Sequence, residues 1–199
     1  MEIKFIKTAG RGYEVRVRRD DGVVLDLRSF DRPARLPHDL VHFVVESELS
    51  LESGLWGLLA AGALPPNLSV VSGRVGPRAA ERSRSLLKEA GRLQHDTEAE
   101  VLVAFVRRVA EEGIEGDWPK VCARLGGVWH PRRSQRGPLG HEEVRRACRR
   151  LREAGRKWEG LAAGESMTVE WPARHKGGAG RARNGRASRP EACAPTSAR

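Results

Sequence analysis

Two periodicities follow one another along this chain. MEIKFIKT alternates apolar Ile3 and Phe5 with polar neighbours, and GYEVRVRRDDGVVLDLRSF continues the alternation through Tyr13, Val15 and Val17, then Val23, Leu25 and Leu27. A period of two over half-buried segments predicts antiparallel strands. Asp20-Asp21-Gly22 supplies a hairpin turn, because glycine accepts a positive φ there, and Ala9-Gly10-Arg11-Gly12 a looser one. The expectation is a three-stranded meander carrying Glu14, Arg16 and Arg18 on its outer face.

Beyond Arg32-Pro33-Ala34-Arg35 the period lengthens to that of helices. Pro37 pre-sets φ for a first helix that ends before Gly54, and Asp39 suits its positive end. A shorter helix runs from Leu55 to about Leu64, stopped by Pro65-Pro66. Residues 67–77 read as a Ser/Gly/Pro-containing connection and 78–93 as an amphipathic helix. Thr97-Glu98-Ala99-Glu100 matches a capping box before VLVAFVRRVA, a helix apolar on most sides and expected at the centre of the core. Asp117-Trp118-Pro119 opens a short helix closed by Gly126-Gly127, and residues 129–140 form a basic loop. HEEVRRACRRLREAGRKWEGL then sets Val144, Cys148, Leu151, Ala154 and Trp158 on one stripe and Arg145, Arg149, Arg152 and Arg156 on the other. SMTVEWP, residues 166–172, is a last strand able to pair with the meander. The segment after it lacks the apolar residues that would offset the entropy of ordering.

These elements predict an α+β fold: an N-terminal antiparallel three-stranded meander plus a C-terminal strand, covered by about five helices. One domain over residues 1–172 and a disordered basic tail over 173–199 are expected. A chain of 199 residues is long enough for one such core.

Composition excludes some classes. No apolar run approaches the ~20 residues of a membrane span, and the N-terminus has no apolar signal-peptide region, so a cytoplasmic location is expected. Cys122, Cys148 and Cys193 are odd in number, far apart and without a CxxC pair, and support neither a disulfide framework nor a cysteine-based zinc site. Net charge is +10, of which residues 172–199 carry seven basic and one acidic side chain (+6) and residues 131–157 ten basic and three acidic (+7), leaving −3 elsewhere. Of 36 basic residues 30 are Arg, a bias that also fits a GC-rich coding sequence, so part of the basicity is compositional.

One stretch carries candidate chemistry. In LPHDLVHFVVESELS, residues 36–50, helical rotation of about 100° per residue puts His38, His42, Glu46 and Asp39 within one sector of about 100°. Imidazoles at i and i+4 are close enough to chelate a divalent cation such as zinc, with an intervening carboxylate, here Asp39, as general base. Glu46 is ~12 Å along the axis from His38, so it could share an ion with His42 but not with both histidines. A mononuclear site therefore needs a ligand from elsewhere, for which Glu52, His95, His130 and His141 are available. The alternative is a plain solvated stripe in which His42 and Glu46 form an ordinary i,i+4 pair.

HDLVH also resembles the HDxxH motif of the Coq-family zinc protein of ubiquinone biosynthesis. The resemblance covers five residues, and no activity is carried over from it. The glutamate that this family places twelve residues after the second histidine falls on Gly54, the nearest acid being Glu52.

A second functional reading rests on charge. Arg145, Arg149, Arg152 and Arg156, with Arg132, Arg133 and Arg136 before them, could track the phosphates of a nucleic acid or contact an acidic protein. Aromatic stacking platforms are sparse nearby, only Trp129 and Trp158 being close. From the sequence, an accessory protein binding such an acidic partner is the first expectation. A metal-dependent hydrolase or lyase using the HDxxH helix is the second.

Overall fold

A computed structural model describes residues 1–27, 36–93, 95–127 and 138–172, with side chains for all of these but 11, 92, 93 and 95–97. The expected tail, the basic loop with Arg132, Arg133 and Arg136, and the side chains of His95 and His130 lie outside the described residues.

The alternating segments form β1 (Glu2–Lys7), β2 (Tyr13–Arg18) and β3 (Val24–Leu27). The last strand, β5 (Ser166–Glu170), pairs antiparallel with β1 as expected. A fifth strand, β4 (Leu68–Ser72), replaces the expected connection and completes an antiparallel sheet of order β4-β3-β2-β1-β5. Register aligns two apolar rows across all five strands. Val169, Ile3, Val17, Leu25 and Val70 make one, and Met167, Phe5, Val15, Leu27 and Leu68 the other. Because side chains alternate faces, the same register sends Glu2, Arg16, Arg18 and Asp26 outward, where Arg18 bonds Glu2 and Arg16 bonds Asp26. β4 gives no strand signal in the sequence because a bulge against Val24 and Leu25 breaks its alternation and most of it is exposed at the sheet edge.

Six helices cover the inner face: α1 (His38–Glu48), α2 (Leu55–Ala61), α3 (Pro77–Leu93), α4 (His95–Glu112), α5 (Trp118–Gly126) and α6 (His141–Glu159). α1 is the helix at the centre, packed against α2, α4 and α6, with residues Leu40 through Glu46 all buried. α4 shares that position only on one side, through Leu102, Val103, Phe105, Val106 and Val109. α1 stops short of Gly54 because Ser50 adopts a left-handed φ of 54° and the Leu51 N–H reaches back to the Glu46 carbonyl at 2.8 Å. The chain then turns at once into α2, whose fully buried Trp56 packs edge-on against Phe5 and Phe43.

On α6 the stripes fall as expected, Val144, Cys148, Leu151, Ala154 and Trp158 being buried. Burial pushes the Cys148 thiol up to about 12, which fits a core residue rather than a nucleophile. Cys122 lies on α5, half-buried against the core. Among the described residues no helix is long and apolar enough to cross a membrane.

Candidate metal centre

The inner half of the polar stripe of α1, His42 and Glu46, faces protein rather than open water, while His38 and Asp39 are half-buried. Glu46 is fully buried, and its carboxylate accepts the backbone N–H groups of Leu55 (3.2 Å) and Trp56 (2.9 Å), the first donors of α2. A glutamate on one helix thus caps the next, satisfying donors that α2 cannot satisfy itself. Gly54 makes this possible: a Cβ there would run into the Glu46 carboxylate. That position is where the zinc family resembled by HDLVH carries its glutamate, so the fold here has no room for that ligand.

Oε1 of Glu46, the oxygen that accepts the Leu55 N–H, also meets Nδ1 of His42 at 3.1 Å, one turn back. His42 is 4% exposed, and its other ring nitrogen, Nε2, is a buried atom without a hydrogen-bond partner. Nε2 points toward α4, where Oε2 of Glu100 lies 3.4 Å away outside hydrogen-bonding alignment. His38 completes the group, its ring tilted against that of His42 with centroids 4.5 Å apart. One ligand atom from each of His38, His42 and Glu100 can be chosen so that all lie within 4.8 Å of one another.

Two imidazoles and one carboxylate form a set used by zinc, and three protein ligands leave a position open to water or substrate. The Glu46 bond to Nδ1 would fix the ring so that Nε2 faces the ion, the usual carboxylate–histidine arrangement behind a metal. Without a cation, burial works against the His42 imidazolium. Glu100 and Glu46 outweigh it and hold the pKa up at about 9. The ion pair with His42 in turn lowers that of Glu100, whereas burial raises that of Glu46. The site opens into a cavity of about 420 Å3 lined by His38, Glu100, Val103, Ala104, Arg107 and Glu111 among others.

The chain matches no protein-family profile, no curated protein and no solved structure. The site therefore rests on its own geometry.

Of the residues singled out in the sequence, the structure brings His38 and His42 together and places Glu46 behind them. Asp39 stands apart: its carboxylate accepts the Tyr13 hydroxyl at 2.7 Å and its carbonyl the Trp56 indole N–H. His141 is spent on the Glu115 carbonyl and stacks on Trp118. Glu100 reads in the sequence as part of a capping box, but α4 begins at His95, so Thr97 sits inside the helix and Glu100 in its second turn. The discernible signal is the mixed stripe Glu100, Val103, Ala104, Arg107 and Glu111 at helical spacing.

The arginine strip is divided. Arg152 donates to Glu115 (Nη1 to Oε1, 2.7 Å) beneath α5, while Arg145 reaches only Glu142 at 3.5 Å. Arg149 and Arg156 stay exposed and unpaired among the described residues. Arg146 and Arg150, which the sequence does not single out, both grip Glu48 at 3.2 Å and tie α6 to α1.

Proposed function

We propose that this protein is a metal-dependent hydrolase whose divalent cation, zinc being the leading case, is held by His38, His42 and Glu100. The observation that carries this reading is the meeting of His38, His42 and Glu100, one ligand atom of each lying within 4.8 Å of the others, with the His42 ring braced by Glu46 through Nδ1. Held by these residues beside the cavity, such an ion would supply Lewis-acid chemistry and lower the pKa of a water to ~7, as hydrolysis of a carbonyl or phosphoryl compound requires. Asp39, engaged by Tyr13, has no part in this scheme. The alternative, contact with an acidic partner such as nucleic acid, keeps the support of the exposed Arg145, Arg149 and Arg156 but loses Arg152 to Glu115.

Elemental analysis and zinc titration test the proposal. Purified protein should take up one zinc ion per chain with a rise in Tm, and both His42→Ala and Glu100→Gln should weaken uptake at least tenfold. A metal-free protein whose melting is indifferent to zinc, manganese and iron would end it.

A further inference from the structure

The cavity at the candidate centre has a continuation. A second hollow of about 380 Å3 shares Val41, Arg107 and Glu111 with the first and extends between α4 and α6. Together they run along one side of α4 from Glu100 to Glu111, a rise of roughly 16 Å at about 1.5 Å per residue. Their walls differ. The second hollow presents Leu36, Val41, Ala110 and Leu151, and opens further at Gly155, where an added Cβ would meet nothing within 4 Å.

Charge is unevenly available along this path. Arg107 is held by Glu111 at 2.8 Å and Arg152 by Glu115, so both are internally neutralised. Arg156, at the end of the second hollow, is exposed and takes no partner among the described residues. In order, the groove offers a His/His/Glu ligand set, an apolar stretch edged by the paired Arg107, Glu111 and Arg152, and at its end the guanidinium of Arg156 with Glu159, a carboxylate that has an interaction of its own, beside it.

We propose that the groove binds an elongated amphiphile, with a polar group at the metal position, an alkyl chain along Val41, Ala110, Leu151 and Gly155, and an anionic terminus at Arg156. This assigns a substrate class to the hydrolase proposed above and rests on that reading for the role of its first end. The chain would gain by leaving water, and the terminus by a charge-assisted bond to a guanidinium.

Dodecanedioate, with an alkyl chain between two carboxylates, is the probe, and calorimetric titration of the zinc-loaded full chain the measurement. Saturable one-to-one binding is expected, weakened at least tenfold by Arg156→Glu and by Gly155→Leu, with zinc stoichiometry unchanged in both variants. Gly155→Leu fills the hollow from a helical position where leucine is the better helix former, so loss of binding there is not loss of the fold. Absence of binding to zinc-loaded protein, or binding indifferent to both substitutions, overturns the groove and leaves the metal reading standing. A chain that takes up no zinc yet binds the probe in a manner sensitive to both substitutions overturns the metal reading and supports the groove.

Discussion

At the scale of single residues, the site turns on His42. Its spacing from His38 is legible in the sequence because i,i+4 geometry is a local property of any helix. Whether the stripe meets water or protein is not legible, since that depends on what α2 and α4 place above it. Glu46 reads as a ligand candidate and is instead the brace, because the corner at Ser50 folds α2 back over it. Glu100 is more than 50 residues from His42, and no local pattern encodes their meeting. The bracketed imidazole makes a forecast about pH. A histidine whose folded-state pKa is raised from 6.5 to about 9 contributes stability that is complete below 6.5 and is lost as pH rises through 9. Metal-free protein should therefore show a Tm that falls between these values, and His42→Asn should flatten that slope. Zinc competes with the proton for Nε2, so its stabilising effect should grow over the same interval. A Tm of the metal-free protein that rises from pH 6.5 to 9 would contradict the ion-paired imidazolium.

Elements differ in how plainly the sequence declares them, for identifiable reasons. β1, β2, β3 and β5 each alternate a more buried with a more exposed face, and such strands announce themselves by alternation. β4, exposed at an edge and bulged, has no such signature. The α1–α2 corner depends on Gly54 for space rather than for backbone freedom, its φ of −75° being open to any residue. Gly54→Ala should thus act purely by steric conflict, expelling the Glu46 carboxylate from the two N–H groups it caps. A loss of about 1–3 kcal/mol is expected from overpacking, with weaker zinc uptake as His42 loses its brace. Urea denaturation and zinc titration of the variant check both effects. A Gly54→Ala variant as stable and as zinc-avid as the parent would show that Glu46 braces nothing.

The whole molecule is divided in charge more sharply than in structure. Residues 172–199 carry +6 of the net +10, so a chain ending at residue 171 would retain +4. Within the described body, ion pairs already consume much of the basic surface: Arg16, Arg18, Arg107, Arg108, Arg146, Arg150 and Arg152 each face a carboxylate. What remains for an acidic partner among the described residues includes Arg149, Arg156 and Lys157 on α6, Arg145 in part, and the exposed Arg78, Arg82, Arg84 and Lys88 on α3. Exposed charge of this kind produces binding that releases counterions and weakens steeply with salt. The full chain should therefore be retained on immobilised duplex DNA at low ionic strength, and truncation at residue 171 should lower the eluting salt far more than Arg149→Ala does. Zinc uptake should be the same in all three proteins, because no residue of the proposed centre lies in the removed segment. Retention that survives truncation but is lost in Arg149→Ala would move the acidic-partner site onto α6, beside the groove, and make Arg156 a residue contested by two ligands.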